Sequence, residues 1–211
     1  MSLNCGCPVA TALTAIVEDG CTENLGQIQK VIFQRVFADP VVKNEVTLPA
    51  VLASWTSHLT ATGGTRAVIS PYLSAPTTEP GTARVYGGGN ATVGGIEMVV
   101  GATPTSFSAM FLGAKQSTIV KTLKGYMCEA MGIYLVNEFG KIVGTKGSVA
   151  GAVRPIPIYR MFVGDKKLGG LEEPDSNLME WHFAPNWSDE LTVISPTDFN
   201  PLSDLVNSGG A

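Results

Sequence analysis

The segment from Met131 to Gly144 constrains the fold more than any other part of the chain. Two apolar runs flank a turn that contains Asn137 and Gly140. Such an arrangement is typical of a β-hairpin. A chain built from hairpins buries their apolar faces by packing two sheets together or by closing one sheet on itself, so the segment favours a β-sandwich or barrel.

Other short runs along the chain have the composition of strands. The sequence contains 21 Val, 19 Thr and 11 Ile, which favour pleated strands, and 24 Gly and 13 Pro, which favour turns. A regular alternation of strands with helices would indicate a parallel sheet. The sequence lacks this alternation, so we expect an antiparallel sheet. The strand-like runs are Ile28–Phe37, Arg66–Leu73, Gly95–Val100, Thr105–Leu112, Pro155–Val163, Leu178–Ala184 and Glu190–Ile194.

Two segments have helical spacing of their apolar residues. The first is Thr47–Leu59, where Thr47 is a candidate N-cap and Pro49 falls in the first turn. The second is Gln116–Met127, although Gly125 within it weakens the pattern. The predicted fold is therefore mainly β with one or two helices, as an antiparallel β-sandwich or barrel.

We expect residues 1–211 to form a single domain, because no shift in composition divides the chain. Residues 1–27 give no clear structural signal. Residues 74–95 are rich in Pro, Gly and Thr and include the run Tyr86-Gly87-Gly88-Gly89-Asn90, which predicts a long loop. A loop of this length is usually functional or disordered.

The charge pattern excludes several classes of protein. Charged residues make up 15% of the chain and the net charge is -4, so the basic footprint of a nucleic-acid-binding protein is missing. The sequence has no apolar run long enough to span a membrane. The first basic residue is Lys30, so the apolar stretch near the amino terminus lacks the charged flank of a secretory signal, and we expect a cytoplasmic protein.

Few residues are candidates for catalysis or metal binding. The four cysteines could bind a soft metal ion, but they lack the cysteine pairs, spaced by two to four residues, of structural zinc sites. One cysteine could pair with a histidine as a nucleophile, but no local sequence signature supports this pair. The glycine run matches no phosphate-binding motif, and the acidic stretch 171–175 has too few oxygen donors for a calcium loop. We therefore expect no enzyme activity, no cofactor and no metal; the residues considered are Cys5, Cys7, Cys21, Cys128, His58 and His182.

Trp181 and Trp187 flank a short turn and have two interpretations. They could form an interaction platform, because large aromatic residues dominate many interfaces. The favoured alternative places Trp181 in the core, with Trp187 fastening the turn onto it.

The order of elements resembles the major tail tube proteins of long-tailed bacteriophages and prophages. The resemblance is mainly one of layout in the last third of the chain, and its segments are the hairpin 132–144, the strand 155–163, and the stretches 177–183, 187–189 and 195–201. It implies a β-sandwich or barrel with a flanking helix and a long loop. The opening Cys5-Gly6-Cys7-Pro8 departs from that family's pattern.

The resemblance implies a structural virion protein whose subunits form rings, expected to be hexameric, that stack into a tube for DNA passage. The partners would be copies of the chain and other tail proteins, in the bacterial cytoplasm during assembly and in the virion tail afterwards. The expected assembly contacts are Tyr86, Gly87, Gly88, Gly89 and Asn90, with Trp187 ranked lower. The alternatives are a connector, tail completion or capsid decoration protein, or a cysteine- or metal-dependent hydrolase.

Overall fold

The structure is a computed structural model that describes residues 24–113 and 117–207. The described chain is mainly β, with two α-helices and antiparallel sheets, which confirms the predicted fold class. The ten-stranded sheet does not close into a barrel within the described residues, and this fold is consistent with the predicted β-sandwich. Its elements are β1 (Ile28–Arg35), α1 (Leu52–Thr60), β2 (Ala67–Ile69), β3 (Ser74–Glu79), β4 (Ala83–Gly87), β5 (Glu97–Ala102), β6 (Thr105–Leu112), α2 (Ser117–Tyr126), β7 (Met131–Asn137), β8 (Ile142–Lys146), β9 (Val153–Arg154), β10 (Ile156–Lys167), β11 (Ser176–Phe183) and β12 (Leu191–Ile194).

The chain separates into two compact units. The expectation that residues 1–211 form one domain stays a prediction. In its described part the first unit contains Thr82–Thr103, whose two strands form the β4–β5 hairpin. The second unit, which we call the body, comprises Gly26–Gly81 and Pro104–Ala211 and contains every other strand and both helices.

The body is built on a ten-stranded sheet with the order β12-β8-β7-β10-β11-β6-β3, to which β1, β2 and β9 add at the sides. The long strand β10 joins the two halves, because Ile156 and Pro157 pair with β7 while Ile158 to Lys167 pair with β11. Arg160 lies within an irregularity of this second pairing and has a φ of 51°. An irregularity of this kind bends the strand locally and increases its twist, just after β10 has changed its partner from β7 to β11.

Strands β1 and β7 are covered on both faces. Ile32 and Tyr134 belong to a cluster with Trp55 of α1, and the rings of Trp55 and Tyr134 meet edge to face at 5.0 Å. The next residue along β1, Phe33, contacts Trp181 of β11 on the opposite face, with ring centroids 6.2 Å apart. Successive side chains of β1 thus point to opposite faces of the strand, where one packs against α1 and the next packs against β11.

Helix α1 begins later than we predicted, at Leu52. Val51 occupies the N-cap position and provides no side-chain hydrogen bond, so Thr47 is not the cap. The backbone N–H of Leu52 instead donates to Oδ1 of Asp198, at 2.9 Å. A carboxylate from a distant part of the chain therefore performs the capping role at this helix.

The segment 74–95, predicted as one long loop, contains two strands and a short structured tip. Thr77, Thr78 and Glu79 pair with β6, and the pairing is shifted between Ser74 and Thr77. The proline that suggested a loop, Pro76, lies within this shift. A strand tolerates proline at such an irregularity, because no ladder hydrogen bond is required there.

Candidate assembly surface

The residues Tyr86 to Asn90 lie on the hairpin of β4 and β5. Val85 is opposite Val99 and Tyr86 is opposite Met98, with a register shift between Arg84 and Val85. At the base of the hairpin the hydroxyl of Thr103 accepts a hydrogen bond from the backbone N–H of Thr82 at 2.7 Å. This hydrogen bond and the ladder fix the two strands against each other.

Both faces of this hairpin are apolar and exposed. The cross-strand pair of Val85 and Val99 lies on one face, and Tyr86 with Met98 lies on the other. Between residues 82 and 103 the sequence has only two charged residues, Arg84 and Glu97, of opposite sign. The exposed fractions are 55% for Val85, 58% for Tyr86, 70% for Ile96, 59% for Val99 and 54% for Val100.

The glycine-rich end of the hairpin has a defined conformation. Two 3-10 turns, Gly89–Ala91 and Val93–Gly95, connect the strands, and the hydroxyl of Thr92 donates to the carbonyl of Ile96 at 2.7 Å. Gly87 has a φ of +104°, and a Cβ placed there would lie 2.2 Å from Cγ2 of Thr92. Glycine is therefore required at this position by both conformation and space. Gly88 and Gly89 also have positive φ, and Asn90 is exposed at the end of the hairpin.

Trp187 belongs to the body and is half-buried. Its ring stacks on Phe183 with centroids 4.2 Å apart, while Trp181 is fully buried and stacks on Phe107 at 4.4 Å. This is the arrangement of the favoured alternative, in which Trp187 fastens the turn after β11 onto the core. The ring of Trp187 is half-exposed, and its role as an interface contact stays a prediction.

The histidines and the described cysteine lie in ordinary structural surroundings. Cys128 is exposed just after α2. Nδ1 of His58 lies 3.2 Å from the amide nitrogen of Gln34 and 3.1 Å from the carbonyl oxygen of Thr65. His182 is paired within the sheet between Tyr159 and Ser106. Cys5, Cys7 and Cys21 lie outside the described residues, and within residues 24–113 and 117–207 no group of three potential ligands could hold a metal ion.

Several charges of the body are held in pairs. The carboxylate of Glu45 accepts hydrogen bonds from the hydroxyl and the backbone N–H of Ser148, at 2.7 and 2.9 Å, and lies 3.3 Å from Nε of Arg154. The hydrogen bonds from Ser148 lower the pKa of Glu45, and the charge of Arg154 acts in the same direction. These contacts join the segment before α1 to β9 and stabilise the fold.

Reasoning from sequence missed the strongest feature of the hairpin, which is the exposure of its valines and Ile96. Val99 and Val100 belong to the strand-like run Gly95–Val100, and strands are usually buried on at least one face, whereas Val85 lies in the segment predicted as a loop. The available signal was the near-neutral stretch 82–103, where little charge accompanies the apolar residues. In the part of the chain that the structure describes, neither helix is long and apolar enough to cross a membrane.

Comparison with known proteins gives no relative for this chain: no protein-family profile, no curated protein and no solved structure matches it.

Proposed function

We propose that the chain is a structural subunit that assembles with copies of itself into stacked rings, forming a phage tail tube through which DNA passes. The observation that carries this proposal is the β4–β5 hairpin, whose apolar side chains are exposed on both faces. The proposed form of the assembly, stacked rings that make a tube, comes from the resemblance of the element order to tail tube proteins. The partners are other copies and other tail proteins, first in the bacterial cytoplasm and then in the virion.

The hairpin has physical reasons to associate. Among the described residues it contains only two strands, and its outer edges pair with no further strand. A two-stranded hairpin is only marginally stable in water, and free strand edges are templates for pairing with another chain. Burial of the valines, Ile96 and Tyr86 against a second copy would stabilise both the hairpin and the assembly.

The charge of the chain is compatible with a tube. A charged fraction of 15% limits the repulsion between closely packed copies, and only two opposite charges lie between residues 82 and 103. The net charge of -4 disfavours adhesion of DNA to a wall made of many copies. Both properties suit a conduit better than a protein that grips nucleic acid.

The test replaces Val85 and Val99 together by threonine. Threonine has nearly the same shape and also favours strands, so the hairpin should persist while its apolar surface decreases. We expect the concentration at which rings or tubes appear to rise about tenfold or more, because two apolar side chains lose their favourable burial. Light scattering behind a sizing column and electron microscopy measure that concentration.

The matched control is Val41→Thr, since Val41 is 85% exposed and belongs to the body. This variant should assemble like the wild type. Normal assembly of the double variant would refute the role of the hairpin. Closed rings that never stack would favour a connector or decoration protein, and a wild-type chain that stays monomeric at every concentration and with added tail components would refute self-assembly.

A further inference from the structure

A second exposed apolar feature lies at the end of the hairpin formed by β10 and β11. We call residues 168–174 the leucine tip. Leu171 is completely exposed and Leu168 is 76% exposed, although both are large apolar side chains. Isolated leucines on a surface need no explanation, but two of them at the end of one hairpin form an exposed apolar patch.

The leucine tip is held in shape by its own contacts. Nζ of Lys167 lies 2.8 Å from a carboxylate oxygen of Glu173, and the backbone N–H of Gly169 donates to Oδ1 of Asp175 at 3.2 Å. A Cβ at Gly169 would lie 1.9 Å from the carbonyl oxygen of Glu173, so the two sides of the tip approach closely. A shaped tip loses little conformational entropy when it binds.

The body also contains a large cleft, with a volume of about 760 Å³. Its walls come from β1, β2, α2 and the segment 203–207, and its apolar lining includes Ile119, Leu123, Tyr126 and Val206. This volume falls in the range of roughly 300–1,000 Å³ that is typical of clefts that enclose a ligand. The leucine tip of the same chain is not among the residues that line it.

The charges of the tip and the cleft are complementary. Lys30 and Arg66 line the cleft, and no acidic residue is among its described lining. Nζ of Lys30 donates to the carbonyl of Leu202 at 2.7 Å, which holds the cation beside the cleft. Lys167, at the end of β10, pairs with Glu173 of the tip, whereas the carboxylate of Glu172 has no ion-pair partner among the described residues. A tip with one spare negative charge fits a cleft with positive charges.

We infer that the leucine tip of one chain docks into the cleft of a second copy, with Leu168 and Leu171 against the apolar lining and Glu172 toward Arg66 and Lys30. This inference rests on the proposed self-assembly and identifies a contact that would contribute to it. The two surfaces differ, so each chain gives its tip to one neighbour and receives the tip of another. Contacts of this kind generate rings when the rotation closes and filaments when it does not.

Two variants test the contact by their association. Leu168→Ser with Leu171→Ser removes the apolar tip, and Val206→Glu places a negative charge in the cleft. All three side chains are exposed, so folding should be preserved. We expect each change to raise the Kd of self-association about tenfold or more, whereas Leu48→Ser, at another exposed leucine, should leave it unchanged.

A mixture of the tip variant with the cleft variant gives the decisive result. The first chain retains an intact cleft and the second retains an intact tip, so one productive tip–cleft contact remains. The mixture should form heterodimers at concentrations at which either variant alone stays monomeric. Sedimentation velocity measures the species. The inference is overturned if the mixture stays monomeric or if either variant associates like the wild type.

A cross-linking experiment separates this inference from the proposed function. Replacement of Leu171 by benzoylphenylalanine should give ultraviolet cross-links to the peptide containing Ile119 and Leu123, or to that containing Val206, of a second chain. Cross-links elsewhere, including to residues 1–23, or none under conditions of association, overturn the docking but leave tube formation standing. Cross-links in the cleft without rings or tubes under any condition support the docking and count against the tube.

Discussion

Trp181→Ala should destabilise the body more than any other single aromatic truncation, because Trp181 lies at the centre of the aromatic cluster. Its side chain is fully buried and stacks on Phe107 at 4.4 Å, with edge contacts to Phe33 and Phe183 at 6.2 and 6.4 Å. Truncation of a buried tryptophan costs about 3–5 kcal/mol. For a body of this size we expect the Tm to fall by roughly 6–20 °C.

Two further variants determine the origin of that loss. Nε1 of Trp181 is buried without a hydrogen-bond partner among the described residues, so Trp181→Phe removes an unsatisfied N–H while it keeps a ring in place. We expect Trp181→Phe to lose less than half as much stability as Trp181→Ala. Trp187→Ala should lose only about 1 kcal/mol, because this half-buried ring makes a single stack with Phe183.

Urea unfolding followed by far-ultraviolet circular dichroism measures all three variants, since tryptophan fluorescence would change with the substitutions themselves. The ordering of the free energies of unfolding is the critical result. If Trp181→Ala loses no more stability than Trp187→Ala, the packing of β11 against β1 and β6 is not as described here. A loss of assembly in Trp187→Ala at unchanged stability would show instead that Trp187 is an assembly contact.

Two other predictions concern single carboxylates. The pKa of Glu45 is lowered in the folded state, so its charged form stabilises the fold above the unfolded pKa of about 4.3, and this stabilisation disappears as the pH falls through the lower folded pKa. Glu45→Gln should therefore be less stable than the wild type at pH 7 and should lose less stability on acidification. Urea unfolding at several pH values measures both effects, and an identical acid dependence of the two proteins would contradict this prediction. Asp198→Ala should cost about 1 kcal/mol, because the N–H of Leu52 loses its acceptor at the start of α1. The exposed Asp189→Ala is its control in thermal unfolding, and equal Tm values for the two variants would exclude the cap.

The sequence predicts well those elements whose pattern is local. Strand β6 extends over Thr105–Leu112 as expected, and α2 over Ser117–Tyr126 lies within the predicted Gln116–Met127. The hairpin of β7 and β8 was also recognisable, because Asn137 supplies a side-chain acceptor for the backbone N–H groups of Phe139 and Lys141. In each case the turn or periodicity that determines the element lies within the element itself.

Features that depend on distant residues were not predictable in this way. The start of α1 is set by Asp198, which lies 146 residues along the chain from Leu52, and no window around the helix contains it. The change of partner within β10 similarly depends on where β7 and β11 lie. Local rules placed the cap at Thr47, but the tertiary contact determines where the helix begins.

The candidate assembly surface was only partly predictable for the same reason, because the exposure of its side chains depends on distant parts of the chain. Tyr86 and the adjoining glycines attracted attention because the run is unusual in sequence. The exposure of Val85, Ile96 and Val99 is not a property of their own segment, since a strand with this composition is usually covered by a neighbour. Whether a partner layer exists is decided by the rest of the fold, so only the structure reveals these side chains as uncovered.

A chain with exposed apolar hairpins and few charges would aggregate without control unless its free edges restricted how copies meet. The β4–β5 hairpin contains such restrictions. Arg84 and Glu97 place charge on its two strands, and Gly87 ends β4 with a φ of +104° that a further extended residue could not continue. An apolar surface bounded in this way favours a contact of defined length over open-ended strand pairing, and defined contacts are what a repeating assembly requires.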